Sequence, residues 1–426
     1  MMRHANDLDD TALLDLVQRQ TFRYFWDFAH PVSGLARDRS APNADGDVAA
    51  LGASGFGVMA IIIAAERDWI RRRDATRRLL RTLRFLGKTT SYHGVFPHFL
   101  NGATGETIPF GPMDDGGDLV ETSFLVAGVL CARQYFDRDS AEERELRDLI
   151  GELTDAVEWG WHTRDGADVL YWHWSPSCGW AMNHEIRGWN ECLITYVLAA
   201  SARHHAISPD VYHRGWAGGA TFRNGKEFYG IRLPLGPDLG GPLFFAHYSF
   251  LGLDPRGLKD LYADYWEQNV NQTLINRAHC IANPGHFKGY GPDCWGLTAS
   301  DDHQGYHAHA PNRDMGVISP TAALASVPYT PEHSMQALRH FYSHLGGKLW
   351  GAYGFIDAFS ETNDWYAPSF LGIDQGPIVI MIENYRSGLI WKLLMSCPEV
   401  QDGLRALGFT SPHLDDERVA DRLRSS

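Results

Sequence analysis

A chain of 426 residues is long enough to bury a large core, and 44% hydrophobic with 21% charged residues is the make-up of an ordinary globular protein. Its formal net charge of −14 would repel nucleic acid and anionic membrane surfaces, so neither is an expected partner. No window reaches the roughly 18 uninterrupted apolar residues of a membrane span.

Taken in order, the chain reads as alternating buried and amphipathic helices with little strand pattern. The first, about Thr11 to Phe28, has an apolar face of Leu13, Leu14, Val17, Phe22 and Phe25. Leu51 to Ala65 is apolar on all sides and rich in small residues, so it is expected inside. Asp74 to Leu86 is basic and amphipathic, with Asp74 as its expected cap. Asp118 to Tyr135 is again apolar, and Ser140 to Trp159 again amphipathic. The alternation continues through Arg187 to Ala202 (apolar), Pro209 to Ala217 (short and exposed), Pro242 to Leu251 (apolar) and Leu258 to Ala282 (amphipathic). Ser319 to Val327, Pro331 to Leu345, Pro377 to Met395 and Glu399 to Leu407 complete the set.

Buried helices therefore start near Leu51, Asp118, Arg187, Pro242, Ser319 and Pro377, an architectural repeat without internal sequence identity. Six inner helices alternating with outer ones describe an all-α double-layered toroid, the (α/α)6 barrel. The long polar connectors (89–117, 160–186, 218–241, 283–318 and 346–376) would gather at one mouth, where long loops usually signal function. Two of them carry β-like pieces, Val169 to Trp174 and Thr221 to Ile231, expected as hairpins. With no linker in sight, one domain over 1–426 is expected, its core about 11–409 and its charged tail 410–426 fraying. The opening MMRHANDLDD lacks a signal-peptide layout, so the chain reads as cytoplasmic as given, or periplasmic if a leader was trimmed. Six scattered cysteines without a CxxC pair read as buried thiols.

The most informative stretch is Trp172 to Glu191, WHWSPSCGWAMNHEIRGWNE, which enters the apolar run CLITYVLAASA. Indole faces cover the apolar side of a sugar ring, while carboxylates, amides and guanidinium groups meet its hydroxyls. Trp180, Glu185, Arg187, Trp189 and Asn190 are therefore candidate sugar contacts, with Trp295, Tyr306, Trp365 and Tyr366 as further platforms on later connectors. Any single Trp is more often core, but this clustering is more than packing requires.

Each long connector also delivers carboxylates to the start of a buried helix. Asp118 and Glu121 stand at i, i+3 on one helical face, Glu185 and Glu191 flank the Trp-rich loop, and Asp374 lies in LGIDQGP. Glycosidic cleavage needs one carboxylic acid to protonate the leaving oxygen and one carboxylate to activate water or attack carbon. The competing reading is plain helix capping. A helix N-terminus lowers a carboxyl pKa, so whichever residue is the acid must be desolvated, by Trp189 or Trp180. Asp114-Asp115-Gly-Gly-Asp118 matches a diphosphate-magnesium pattern, but its glycines argue for a loop. Asp301, Asp302, His303, His307 and His309 form a weak metal pattern in a chain with 20 histidines. No metal and no cofactor is expected.

Through TFRYFWDF, DDGGDLVETSFL, WHWSP, GWNECLITYVLAASA, GPLFFAHYSFLGLDP, GFIDAFS and LGIDQGP, the chain resembles bacterial glycoamylase-like proteins over roughly Leu16 to Phe409. The likeness is to glycoside hydrolase family 144 in particular, the β-1,2-glucanases. This resemblance implies an (α/α)6 barrel and metal-free hydrolysis of β-1,2-glucan with inversion at the anomeric carbon. It also implies essential acids at Asp118, Glu121 and Glu191, with Asp374 a further one. Members are usually secreted or periplasmic. The expectation is an inverting hydrolase of β-1,2-glucan or its oligosaccharides, with Glu191 as acid, Asp374 or Glu121 activating water, and Asp118 in support. A transglycosylase, a phosphorylase-like enzyme and a non-catalytic sugar-binding protein are the alternatives.

Overall fold

A computed structural model describes residues 8–414, and its regular structure is mostly helical with short strands. Helix α1 (Asp10–Trp26) opens on the Asp9 side chain, which accepts from Ala12 N, and buries the expected face. Helix α2 (Leu51–Glu66) is buried along nearly its whole length, as its uninterrupted apolar surface requires. Helix α3 (Arg72–Leu86) starts two residues before the predicted cap, so Asp74 lies inside the first turn and accepts from Arg71 Nε at 2.7 Å instead.

Helix α4 (Leu119–Tyr135) is capped by Asp118, whose Oδ1 accepts from Val120 N at 3.0 Å and Glu121 N at 2.9 Å. It lies directly on α2. A Cβ added to Gly55 would sit 2.2 Å from Phe124 O, and one added to Gly128 would sit 2.3 Å from Gly55 O. Only glycine at both positions lets the two backbones touch.

Helix α5 (Ala141–Asp155) pairs with α3 on the outside and ends before Trp159, where a 3₁₀ turn takes over. Helix α6 (Leu193–Ser201) is shorter than the predicted 187–202. Asn190 Oδ1 accepts from Cys192 N at 3.0 Å, which holds the preceding residues in a loop. The segment Val211–Trp216 is a π-turn, and the apolar run from Pro242 forms two 3₁₀ turns, Leu243–Ala246 and Ser249–Leu251, in place of one helix. Apolarity predicted the burial of that run but carries no information about its pitch.

Helix α7 (Tyr265–Ala282) begins at its Asp264 cap, later than Leu258. Residues before it instead pair with Thr410, Lys259 N donating to Thr410 O at 2.9 Å and Thr410 N to Lys259 O at 2.7 Å. The predicted fraying tail is therefore anchored at its first residues, and 415–426 lie outside the described residues. Helices α8 (Pro320–Leu324), α9 (Pro331–Ser343) and α10 (Gly346–Leu349) follow. The last predicted buried helix is two, α11 (Gly372–Arg386) and α12 (Leu389–Met395), broken where Gly388 takes φ +67°. Helix α13 (Pro398–Ala406) closes against α6.

The first long connector contributes two strands to an unpredicted three-stranded sheet, in which Phe99–Asn101 pairs with Thr107–Ile108 and with Val48–Ala50 ahead of α2. The expected piece at 169–174 turns back on the chain through antiparallel bridges, Tyr171 with Glu185 and, just beyond it, Ser175 with Gly179, and its end also pairs elsewhere. His173–Trp174 pairs with Gly117–Asp118, in register Asp118 with His173. The other predicted piece does fold as a hairpin, Glu227–Phe228 with Ile231–Arg232. Arg39–Ser40 pairs with Phe370–Leu371, tying an early segment to the entrance of α11.

Candidate active site

Three buried helices present carboxylates at their starts: Asp118 caps α4 with Glu121 in its first turn, Glu191 precedes α6, and Asp374 lies in the first turn of α11. All four side chains are buried. They fall into two groups with different company.

The first group is supplied with bases. Asp118 Oδ2 lies 3.0 Å from His98 Nδ1 and 3.8 Å from His173 Nδ1, while its Oδ1 is taken by two α4 amides. Burial pushes the Asp118 carboxyl up, but the His173 and His98 charges outweigh it and hold the group below the usual range. The Glu121 charge, and then the Asp118 contact, raise His98 to about 9 against its own desolvation. Glu121 Oε2 accepts from Gly52 N at 2.7 Å, an approach that a Cβ on Gly52 would block at 2.6 Å from that oxygen. Burial, only partly offset by His98 and reinforced by the Asp118 charge, pushes Glu121 to about 7. Glu191 is 9% exposed and is likewise pushed to about 7, by burial first and then by the charges of Glu121 and Asp118. Its backbone carbonyl is fastened by the Ser249 hydroxyl.

The second group is carboxylate against carboxylate. Asp357 Oδ2 accepts from Asp301 N at 2.7 Å, and Asp301 in turn meets Arg39 Nη1 at 2.9 Å and the Ser369 hydroxyl at 2.6 Å. Asp374 is 1% exposed, and neither of its side-chain oxygens receives a donor from the rest of the described protein. Burial and the adjacent Asp357 push Asp374 well above the carboxylate range, and burial with the Asp301 charge takes Asp357 to about 7. Two buried carboxyl groups that act on each other in this way titrate as a pair, the charge of one opposing ionisation of the other.

Tyr248 connects the groups. Its ring is wedged among Phe56, Phe124 and Phe244, and its hydroxyl is pushed up by burial and then by the neighbouring acids Asp374, Glu191 and Glu121. Acids from α4, α6 and α11 thus act on one hydroxyl, as groups around a common space do.

Comparison with known proteins decides the lineage. A family model for glucoamylase-type proteins, named Glycoamylase, matches residues 183–398. An endo-β-1,2-glucanase from Chitinophaga pinensis, solved in complex with sophorotriose and glucose, is 54% identical and superposes with a TM-score of 0.93 over 96% of this chain and 100% of that one. The chain belongs to the Glycoamylase family. An exo-β-1,2-glucooligosaccharide sophorohydrolase (non-reducing end) from Parabacteroides distasonis is 47% identical over 94% of this chain, which spans 58% of that relative's length. An endo-β-1,2-glucanase from Talaromyces funiculosus covers 99% of this chain and 92% of its own at a TM-score of 0.63 and 12% identity, a likeness of fold alone.

Within this family member, the sugar contacts expected from sequence divide sharply. Trp295 is 0% exposed and Trp189 is 2% exposed, so neither offers a face to a ligand. Trp189 packs against Trp216, Phe250 and Tyr265 and donates from Nε1 to Gln272 Oε1 at 2.9 Å. Asn190 is also structural, its Oδ1 accepting from Trp216 Nε1 at 3.0 Å as well as from Cys192 N. Glu185 and Arg187 pair with each other, and Arg187 also reaches Arg214 O at 3.1 Å. Trp180 is half-buried beside Trp161, His162 and Tyr171. Trp365 is half-buried, and Tyr366 accepts from Lys348 Nζ at 2.9 Å. Tyr306 is 46% exposed on the Ala299–Asp302/Gly305–Ala308 hairpin.

Sequence reasoning missed His98, His173, Asp357, Tyr248 and Phe110. Phe110 is 57% exposed and stacks on His98 at 4.3 Å, an aromatic face beside the first acid group. A signal existed for two of them: His98 in VFPHFL and Asp357 in GFIDAFS are lone ionisable residues in apolar runs, and such residues are seldom buried without a partner.

Proposed function

We propose that the chain is an inverting glycoside hydrolase cleaving β-1,2-linked glucan or its oligosaccharides on an (α/α)6 barrel. The barrel reading is supported by packing in chain order, α2 on α4 and α4 on α6, with α8 against α11 and α11 back against α2. The relatives named above supply the substrate class.

The observation that carries the reading is Glu191, a buried carboxyl held protonated to about pH 7 beside an ionised Asp118. An acid poised near the working pH suits proton donation to a leaving glycosidic oxygen. The Asp374–Asp357 pair, carrying one proton and one charge, is the water-activating base. Its raised affinity for a proton is what abstraction from water requires, and Asp374 has no donor from the rest of the described protein competing for its oxygens. Glu121 and Asp118 then set the field at Glu191. Inversion would need the acid and base carboxyls roughly 6.5–9.5 Å apart, with a water between them.

The test is product analysis on linear β-1,2-glucan by chromatography and polarimetry, with Glu191→Gln in parallel. Cleavage with net inversion, lost in the variant while sugar binding persists, is the expected result. An intact glucan after prolonged incubation would overturn the substrate, retention would overturn the stereochemistry, and an active variant would remove Glu191 as the acid.

A further inference from the structure

The acid–base reading leaves one arrangement beside Asp118 unexplained. A carboxylate oxygen from Asp114, one from Asp118 and a ring nitrogen of His173 lie within 4.8 Å of one another, and all three residues are buried. His173 Nδ1 is 3.2 Å from Asp114 Oδ1 and 3.8 Å from Asp118 Oδ2. His173 Nδ1 is thus ion-paired with Asp114 Oδ1 without a well-angled hydrogen bond, and Asp114 Oδ2 has no hydrogen-bond partner among the described residues. Their side chains are only 8% and 2% exposed, so water does not explain the deficit readily. Buried polar atoms without a hydrogen bond are uncommon and costly, and here two of them belong to one three-residue cluster.

The ligand geometry is fixed by backbone. His173 is held opposite Asp118 by strand register, and Asp114 by the bridge between its residue and Gly111. Asp118 Oδ2 also meets His98 Nδ1 at 3.0 Å, the kind of outer contact that orients a coordinating carboxylate. Two carboxylates and an imidazole are a nitrogen–oxygen donor set of the sort that suits Zn²⁺ and similar ions. The other Asp/His group is different. His307 Nδ1 and His309 Nε2 converge on a single oxygen, Asp302 Oδ2, at 2.7 and 3.3 Å, and their rings are 6.3 Å apart, so one oxygen serves as a hub with no open shell.

We propose that Asp114, Asp118 and His173 form a binding site for a divalent transition cation of the Zn²⁺ class, with water in the remaining positions. An ion there occupies Asp118 and slows hydrolysis, a consequence that rests on the function proposed above; the binding itself does not.

Calorimetric titration of the chelator-stripped full chain with ZnCl₂, without sugar, tests it. The stacked pair His340 and His344, with centroids 5.2 Å apart, is a competing zinc binder, so His344→Ala serves as the control. One tight equivalent is expected in the wild type and in His344→Ala, and its loss in both Asp114→Asn and His173→Gln, each variant melting cooperatively. A wild type that takes up no Zn²⁺, an equivalent that survives in either cluster variant, or one that disappears with His344→Ala overturns the proposal. Because no sugar is present, a failed glucan assay leaves this result unaffected.

Discussion

The two acid groups hold the same chemical function in opposite surroundings. Around Asp118, histidines and helix amides keep one carboxylate ionised, while burial, reinforced by neighbouring carboxylate charge, raises Glu121 and Glu191. Around Asp374, the relief is remote: Arg39 reaches Asp301, and Asp374 and Asp357 are left to moderate each other. Near equal burial, the partner decides the charge state. Under the function proposed above, this contrast lets one wall give a proton while the other takes one.

The sharpest way to break this contrast is Glu191→Gln, which should lower kcat about 10²–10⁴-fold with the fold intact. In the wild type the donating form is lost as pH rises through about 7, so kcat should fall on that side, and steady-state rates between pH 5 and 9 check it. Asp357→Asn should be milder, about 10-fold in kcat/KM, but more diagnostic. Removing that charge lowers the Asp374 pKa, so the acidic limb of the profile should move to lower pH; an unmoved limb would mean the two carboxyls do not share a proton.

Gly52→Ala sharpens the other side. The new Cβ, 2.6 Å from Glu121 Oε2, should displace that carboxyl, cost roughly 1–3 kcal/mol in urea denaturation and reduce turnover without touching substrate. The smallest effect is expected from Arg39→Gln. Loss of the partly exposed ion pair with Asp301 should cost about 1 kcal/mol at pH 8. The cost should shrink towards pH 5, because without Arg39 the folded carboxylates bind protons more readily than the unfolded ones. Thermal melts at both pH values measure that sign.

The sequence made the buried helices and their acid-bearing starts legible because both are local. Uniform apolarity marks α2 and α4, and the Asp118 cap follows from residue type and spacing alone. What stayed hidden depends on distant partners. A tryptophan shows equal fitness for a core and for a sugar face, so Trp189 and Trp295 were read as platforms until Gln272 and the aromatic packing claimed one and complete burial the other. Asn190 looked like a sugar contact because nothing nearby reveals that Trp216, 26 residues on, takes its oxygen. The charge of Asp374 depends on Asp357 and Asp301, which no helical or strand period connects to it.

The pairing of Arg39–Ser40 with Phe370–Leu371 gives these walls different birthdays during synthesis. Asp118, Glu121, Glu191, His98 and His173 all lie within the first 191 residues, so each is synthesised well before Asp301, Asp357 and Asp374. Arg39 must wait for Asp301, Asp357 and Asp374, the last of them more than three hundred residues later, before its wall can close. Under the roles proposed above, a nascent chain carries its proposed acid, Glu191, well before its proposed base, Asp374.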